Sequence, residues 1–231
     1  MQLPKYVINL EKRSDRLEEF THNFKGLEYK VIAAIDGSIL SPSQHFVEAN
    51  VAACWLSHQK VFMEFLETEN PHCLVFEDDA VPSDEFFSEL QTLESSDLSG
   101  IDFLQIGFLA QNGRLDDGQL YSVQKAFDML VTRHINRLKK YRGSHKGVEL
   151  SQKLQLKLGD IQSGTHCYLI GRDLATQLVN FNNPVFLAAD LVFMKLATNR
   201  KWLFYRRIAS ISSQSNSPSS IRQSNNYREI S

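Results

Sequence analysis

Residues 73–84 read CLVFEDDAVPSD. The low-charge run Cys73-Leu74-Val75-Phe76 passes without a break into Glu77-Asp78-Asp79. Extended back to His72, it is dense in apolar residues rather than alternating. That density predicts a strand covered on both faces, as in a parallel sheet. In open α/β sheets, ligands bind beyond the carboxyl ends of the strands. Adjacent carboxylates at such an end raise one another's pKa and call for a cation. Hard oxygen donors suit Mg²⁺ or Mn²⁺, which take one or two protein carboxylates and complete their shell with phosphate and water. A diphosphate ligand would therefore account for the acidic cluster. The competing reading is a solvated turn after a strand.

The flanking sequence supplies the remaining elements. Lys5-Tyr6-Val7-Ile8-Asn9-Leu10 reads as a first strand, with Ser14 as cap of a helix through Arg16-Leu17-Glu18-Glu19-Phe20. Tyr29 to Ala34 reads as a second strand, closed by the turn signal Asp36-Gly37. Residues 53–67 suit a largely buried helix with Trp55, Phe62 and Leu66 on one face, stopped by Asn70-Pro71. Pro82-Ser83 predicts a helix start. Ile101 to Gly107, Thr165 to Ile170 and Trp202 to Tyr205 predict further strands, and Arg172 to Phe181 and 189–198 further helices. Strands alternating with helices predict an α/β sandwich, a mostly parallel central sheet flanked by helices.

The chain has 231 residues, of which 42% are hydrophobic and 23% charged, the composition of a soluble globular protein. Its formal net charge of −2 gives no global pull toward nucleic acid. No apolar stretch approaches the ~20 residues that span a bilayer. The opening MQLPKYVINLEKRSDR lacks the pattern of a signal peptide, and Cys54, Cys73 and Cys167 show no CxxC spacing. A cytoplasmic protein is expected, with its thiols reduced. One domain over 1–231 is expected: a nucleotide-binding half at 1–110, a variable insertion at 111–160, a second half at 161–209 and a polar tail at 210–231. Between Arg133 and Lys146 there are six Lys or Arg and no acid, with Val131, Ile135 and Leu138 on one stripe. Such a segment can rest on an anionic membrane surface, at the inner face of the membrane here, or form a solvated face. From Ser210 to Ser224, eight of fifteen residues are serine, which is poor core material.

Three chemistries compete for Glu77-Asp78-Asp79. A response-regulator receiver needs a phosphoacceptor Asp after a later apolar strand, and none precedes Asp128. A haloacid-dehalogenase-like Mg²⁺ phosphatase needs Asp as nucleophile where this chain has Glu77. The metal site of sugar-nucleotide transferases tolerates Glu at that position.

A series of motifs in order favours the third. Tyr6-Val7-Ile8-Asn9-Leu10 with Arg13, Asp15 and Arg16, then Ala33-Ala34-Ile35-Asp36-Gly37, Cys54-Trp55-Leu56-Ser57-His58, Leu74 to Asp79, Gly164-Thr165-His166-Cys167-Tyr168-Leu169-Ile170, and Pro184 through Asp190 to Phe193 resemble glycosyltransferase family 25. The chain departs from it at Asn50-Val51-Ala52-Ala53, where that family usually has Gly-Glu-Ile-Gly. The resemblance implies a GT-A-like, Rossmann-type nucleotide-sugar fold, a UDP-sugar donor, a saccharide or glycolipid acceptor and inversion at the anomeric carbon. A non-catalytic nucleotide-sugar-binding protein is the remaining alternative.

Under this resemblance Glu77 and Asp79 would hold Mn²⁺ or Mg²⁺, with Asp78 turned toward ribose or solvent. Asn9, Arg13, Arg16, Ala34, Asp36, Gly37 and His58 would line the donor site. An arginine can fork onto phosphate oxygens, although Arg13 and Arg16, at i and i+3, equally suit a solvated first helical turn. Cys54 and His58 share a helix face at i and i+4, too small a set to assign zinc. Inverting transfer needs a base on the acceptor hydroxyl. Asp190 is the candidate, with Asp102 as rival; Asp190 equally suits a helix N-cap. His166 reads as a core histidine more readily than an acceptor contact. Gln214 lies in the serine-rich tail, either disordered or folded back near the diphosphate.

Overall fold

A computed structural model describes residues 3–41, 44–108, 156–159, 161–198, 204–207 and 212–214. Its strands are β1 (Lys5–Asn9), β2 (Lys30–Ala33), β3 (His72–Glu77), β4 (Ala80–Pro82), β5 (Phe103–Gly107), β6 (Leu156–Leu158), β7 (Cys167–Gly171), β8 (Phe204–Arg207) and β9 (Ser212–Gln214). Its helices are α1 (Ser14–Asn23), α2 (Ala49–Leu66), α3 (Phe86–Glu94), α4 (Arg172–Leu178) and α5 (Ala189–Thr198). One sheet has the order β2-β1-β3-β7-β5-β8-β6, with β4 and β9 alongside.

Side chains of β3 alternate between two cores, so both faces of the strand are covered. Cys73 and Val75 join Tyr6, Ile8, Trp55, Phe62, Leu174 and Phe193 under α2, α4 and α5. Leu74 and Phe76 join Val7, Phe20, Phe24, Phe86 and Leu90 under α1 and α3. An unbroken run of low-polarity residues from Cys73 to Phe76 is what a three-layer α/β/α sandwich requires of a central strand. The expected α/β class with helices flanking the sheet is therefore present.

Direction within the sheet is mixed. β1 pairs parallel with β2 and β3, and β5 pairs parallel with β8. β7 lies between β3 and β5 and runs antiparallel to both, a point that apolar density cannot reveal. Its register sets Phe76 opposite Cys167. The residues just before β7 therefore stand beside the residues just after β3.

Local boundaries differ from the sequence expectation in three places. Ser14 is the first residue of α1; the cap position is Arg13, with no side-chain cap bond. After Asp79 the chain makes β4 rather than entering a helix at Pro82-Ser83, and α3 begins at Phe86. The serine-rich stretch contributes β9, whose backbone pairs with β4 in the register Ala80 to Gln214 and meets β5 at Gly107. Backbone pairing supplies there what apolar side chains do not. The basic segment from Arg133 to Lys146 lies outside the described residues. None of the described helices is long and apolar enough to cross a membrane.

Candidate active site at the carboxyl edge

Parallel pairing of β1, β2 and β3 brings their carboxyl ends to one edge. Ile8 stands opposite Glu77 and Asn9 opposite Ala33. The Asp78 backbone N–H donates to Ile8 O at 3.1 Å, and the Ala34 N–H to Asn9 O at 2.8 Å. Asn9, Ala34 and Glu77-Asp78-Asp79 are thus fixed together by the sheet itself.

Arg16, read from sequence as a donor-site residue or part of a solvated first helical turn, is buried, which excludes the solvated turn. Its Nη2 lies 3.0 Å from Asp78 Oδ1 and also pairs with Asp79 Oδ2. Asn9 Nδ2 donates to Asp78 Oδ2 at 2.7 Å and to Arg13 O at 2.9 Å. Asp78 therefore faces Asn9 and Arg16. Burial foremost, helped by the charges of Asp79 and Glu77, pushes its carboxyl up to about 6 against the opposing pull of Arg16 and Asn9. Arg13 turns to the surface, where it forks onto Asp15 with Nε–Oδ1 at 2.9 Å.

Glu77 faces two histidines. His58 Nε2 lies 3.6 Å from its Oε1 and His166 Nδ1 lies 3.7 Å from its Oε2. His166 Nδ1 is also 3.6 Å from Asp79 Oδ1. The Thr165 hydroxyl donates to Glu77 Oε1. Burial opposes ionisation of Glu77, yet the two imidazoles hold its carboxyl well below the usual range. Burial likewise depresses His166, but the facing Asp79 and Glu77 outweigh it and raise the imidazole to about 10. A cation bound at His166 would compete with the proton for the same ring nitrogen.

His166, read from sequence as a core residue, belongs to this cluster. The signal lay in strand direction. A parallel β7 would have put residues 165 and 166 at the opposite edge; the antiparallel one puts them beside Glu77. Asp102 suffers the converse fate. Its carbonyl accepts from the Gly171 N–H at 2.9 Å, and Gly171 pairs with His72 at the amino edge. The rival base is therefore at the wrong end of the sheet.

The donor atoms of Glu77, Asp79 and His166 lie within 4.8 Å of one another. Both His166 ring nitrogens and His58 Nε2 are buried without a hydrogen-bond partner among the described residues. Leaving such a group unsatisfied costs about 1–3 kcal/mol. Oxygen and imidazole donors with unsatisfied nitrogens fit a divalent cation such as Mn²⁺. Arg16 neutralises part of the acidic charge on the far side of Asp78 and Asp79.

The remaining candidates surround this centre. Ser57 Oγ donates to Ala53 O at 2.6 Å and accepts from the Ile35 N–H at 2.9 Å, tying α2 to the Ala34–Gly37 loop. Asp36 accepts from Ser38 N–H at 2.9 Å and pairs with Lys12 at 2.6 Å. Lys12 first, then Ser38, holds its carboxyl down at about 2. Gly37 is buried against the start of α2, where an added Cβ would come within 2.7 Å of Asn50 Cα. Asp190 is in the first turn of α5; its Oδ1 accepts from Leu191 N–H at 2.8 Å and its Oδ2 from Gly164 N–H at 3.3 Å. It thereby braces the segment that delivers Thr165 and His166. Burial first, then the charges of Glu77, Asp190 and Asp79, push the Cys54 thiol up, so Asp190 shares the field of the cluster.

Fold and site together define an α/β protein with an acid-imidazole centre at the carboxyl edge of its sheet, the place where such sheets bind ligands. The family model for glycosyltransferase family 25, described as LPS biosynthesis protein, matches residues 2–193. The chain belongs to this family and is a glycosyltransferase. No individual curated protein matches the chain.

Proposed function

We propose that this protein moves a hexose, galactose or glucose, from a UDP-sugar to a saccharide or glycolipid hydroxyl with inversion, in the assembly of a surface glycan. The observation that supports this best is the convergence of Glu77, Asp79 and His166 at the carboxyl edge of a family 25 chain. Glu77 and Asp79, with His166 beside them, would hold Mn²⁺ or Mg²⁺. When bound, that ion supplies positive charge against the departing diphosphate.

The chain's own residues perform the rest. Arg16 and Asn9 hold Asp78 in place, so the acidic turn meets the donor in one conformation. The Ala34–Gly37 loop, pinned through Ser57, presents backbone and the Asp36 carboxylate to the uridine. Gly37 allows the loop to lie against α2. Asp190 takes the proton from the acceptor hydroxyl, its carboxylate oriented by the Gly164 and Leu191 N–H groups. Arg13 sits at the rim, able to leave Asp15 for a phosphate oxygen.

A UDP-release assay over a panel of UDP-sugars, with and without chelator, tests this reading. Chelator-sensitive release from one donor, dependent on a saccharide acceptor, is expected. Phosphate release from simple monoesters would point to a phosphatase instead, and donor binding without release to a non-catalytic protein. Asp190→Asn, which keeps a side-chain oxygen for the backbone N–H groups of the segment carrying Thr165 and His166, is expected to lower turnover by about 10²–10⁴-fold while leaving the donor dissociation constant within about twofold. A parallel loss of donor affinity would remove Asp190 from the role of base.

A further inference from the structure

We propose that Cys54 Sγ, His58 Nε2 and Glu77 Oε1 form a second cation site, suited to a thiophilic divalent ion of the Zn²⁺ class. Cys54 and His58 stand one turn apart on α2 and so project from the same helix face. One donor atom from each of the three residues lies within 4.8 Å of the others. In a tetrahedral zinc site with bonds of about 2.0–2.3 Å, neighbouring donor atoms are roughly 3.3–3.8 Å apart. The observed 3.6 Å between His58 Nε2 and Glu77 Oε1 already falls in that range.

His58 supplies the independent observation. Its side chain is fully buried, and its Nε2, which faces Glu77, has no hydrogen-bond partner among the described residues. Its other nitrogen, Nδ1, is 2.8 Å from the Tyr168 hydroxyl. A cation bound between Glu77 and Cys54 would place the proton on Nδ1, donated to that hydroxyl, and take the lone pair of Nε2. A hydrogen-bonded outer nitrogen is the usual support of a metal-bound imidazole.

The donor set separates this site from the one on the other side of Glu77. Oε2 faces His166 and, with Asp79, makes an oxygen-rich set suited to Mg²⁺ or Mn²⁺. Oε1 faces His58 and accepts from the Thr165 hydroxyl, and Cys54 completes a group in which a thiolate selects zinc-like ions over magnesium-like ones. Binding releases the Cys54 thiol proton to solvent and leaves a fourth position open. Because one carboxylate serves both sides, zinc at Cys54 would draw Glu77 away from the oxygen-rich set.

The test uses the full-length protein, reduced, stripped with chelator and titrated with Co²⁺ alone. A near-ultraviolet thiolate-to-cobalt charge-transfer band, removed by added Zn²⁺, is expected. Cys54→Ser should abolish the band while keeping the wild-type melting curve and Mn²⁺ affinity. His166→Gln should keep it. Tyr168→Phe, which retains the ring, should weaken Zn²⁺ binding by about tenfold or more. Absence of the band from the wild-type protein, its persistence in Cys54→Ser, or its loss in His166→Gln would overturn the proposal. Sugar transfer plays no part in these readouts. A protein that transfers with Mn²⁺ but shows no thiolate band defeats only this site, and one that binds cobalt through Cys54 but ignores UDP-sugars defeats only the proposed function.

Discussion

The two ends of β3 carry similar residue types and opposite bookkeeping of hydrogen bonds. At the amino end, His72 Nε2 donates to Ile101 O at 2.9 Å. Lys5 Nζ donates to Glu94 at 2.6 Å and to Leu3 O at 3.1 Å. Arg172 spreads its guanidinium over the carbonyls of Leu66, Thr68 and Asn70. At the carboxyl end, His58 and His166 keep ring nitrogens unsatisfied, and three carboxylates share Arg16 and two imidazoles. Buried polar groups that are fully paired hold a fold together; those left short of partners, at a strand end, await a ligand. A hollow lined by Leu3, Pro4, Pro71, His72 and Glu94 opens at the amino end. A hollow alone thus does not mark the candidate site, whereas polar satisfaction does.

Substitutions at each end should therefore separate activity from stability. The largest effect is expected for Asp79→Asn, which should reduce sugar transfer by about a thousandfold or more. Its cost in stability should stay within about 1 kcal/mol, because Arg16 keeps Asp78 as partner. Transfer rates and urea titrations on the same preparation check both halves. Glu94→Gln should do the reverse. It leaves the buried Lys5 ammonium without its carboxylate and costs about 2 kcal/mol, less than a fully buried pair because Glu94 is partly exposed. Activity per folded molecule should be unchanged.

Gly37→Ala sharpens the comparison on the carboxyl side. The added methyl meets Asn50, so stability should fall by about 1–3 kcal/mol and donor affinity with it. Unaltered donor affinity would release the Ala34–Gly37 loop from its assigned part. The smallest effect concerns pH at the amino end. Burial, opposed by the bond to Ile101 O, holds His72 below its ordinary value of 6.5. The unfolded chain then binds the proton more readily than the folded one. The contribution is present above pH 6.5 and is lost as pH falls through the folded value. His72→Gln should flatten that part of the stability profile, read from melting curves across pH.

Much of the fold was legible because burial on both faces leaves a strong trace. The apolar runs of β1 and β3 and the periodicity of α2 announce a covered sheet, and Glu77-Asp78-Asp79 announces its functional edge. Strand direction was not legible. The run Cys167 to Ile170 looks the same parallel or antiparallel, and the placement of His166 and Asp102 depends on which it is. Arg16 was half legible: its helical spacing is that of a solvated turn, and only the close approach of β3 to β1 buries it against Asp78 and Asp79. β4 and β9 were missed because their pairing rests on backbone groups, which leave no pattern in side-chain type.

On the proposed function, the acidic end of β3 binds a divalent ion together with a nucleoside diphosphate. Calorimetric titration of UDP into chelator-stripped protein, with and without Mn²⁺, addresses it directly, with Asp79→Asn as the control. Uptake of UDP should require Mn²⁺ and disappear in Asp79→Asn. Equal binding without the ion, or none of UDP or any UDP-sugar in its presence, would contradict it.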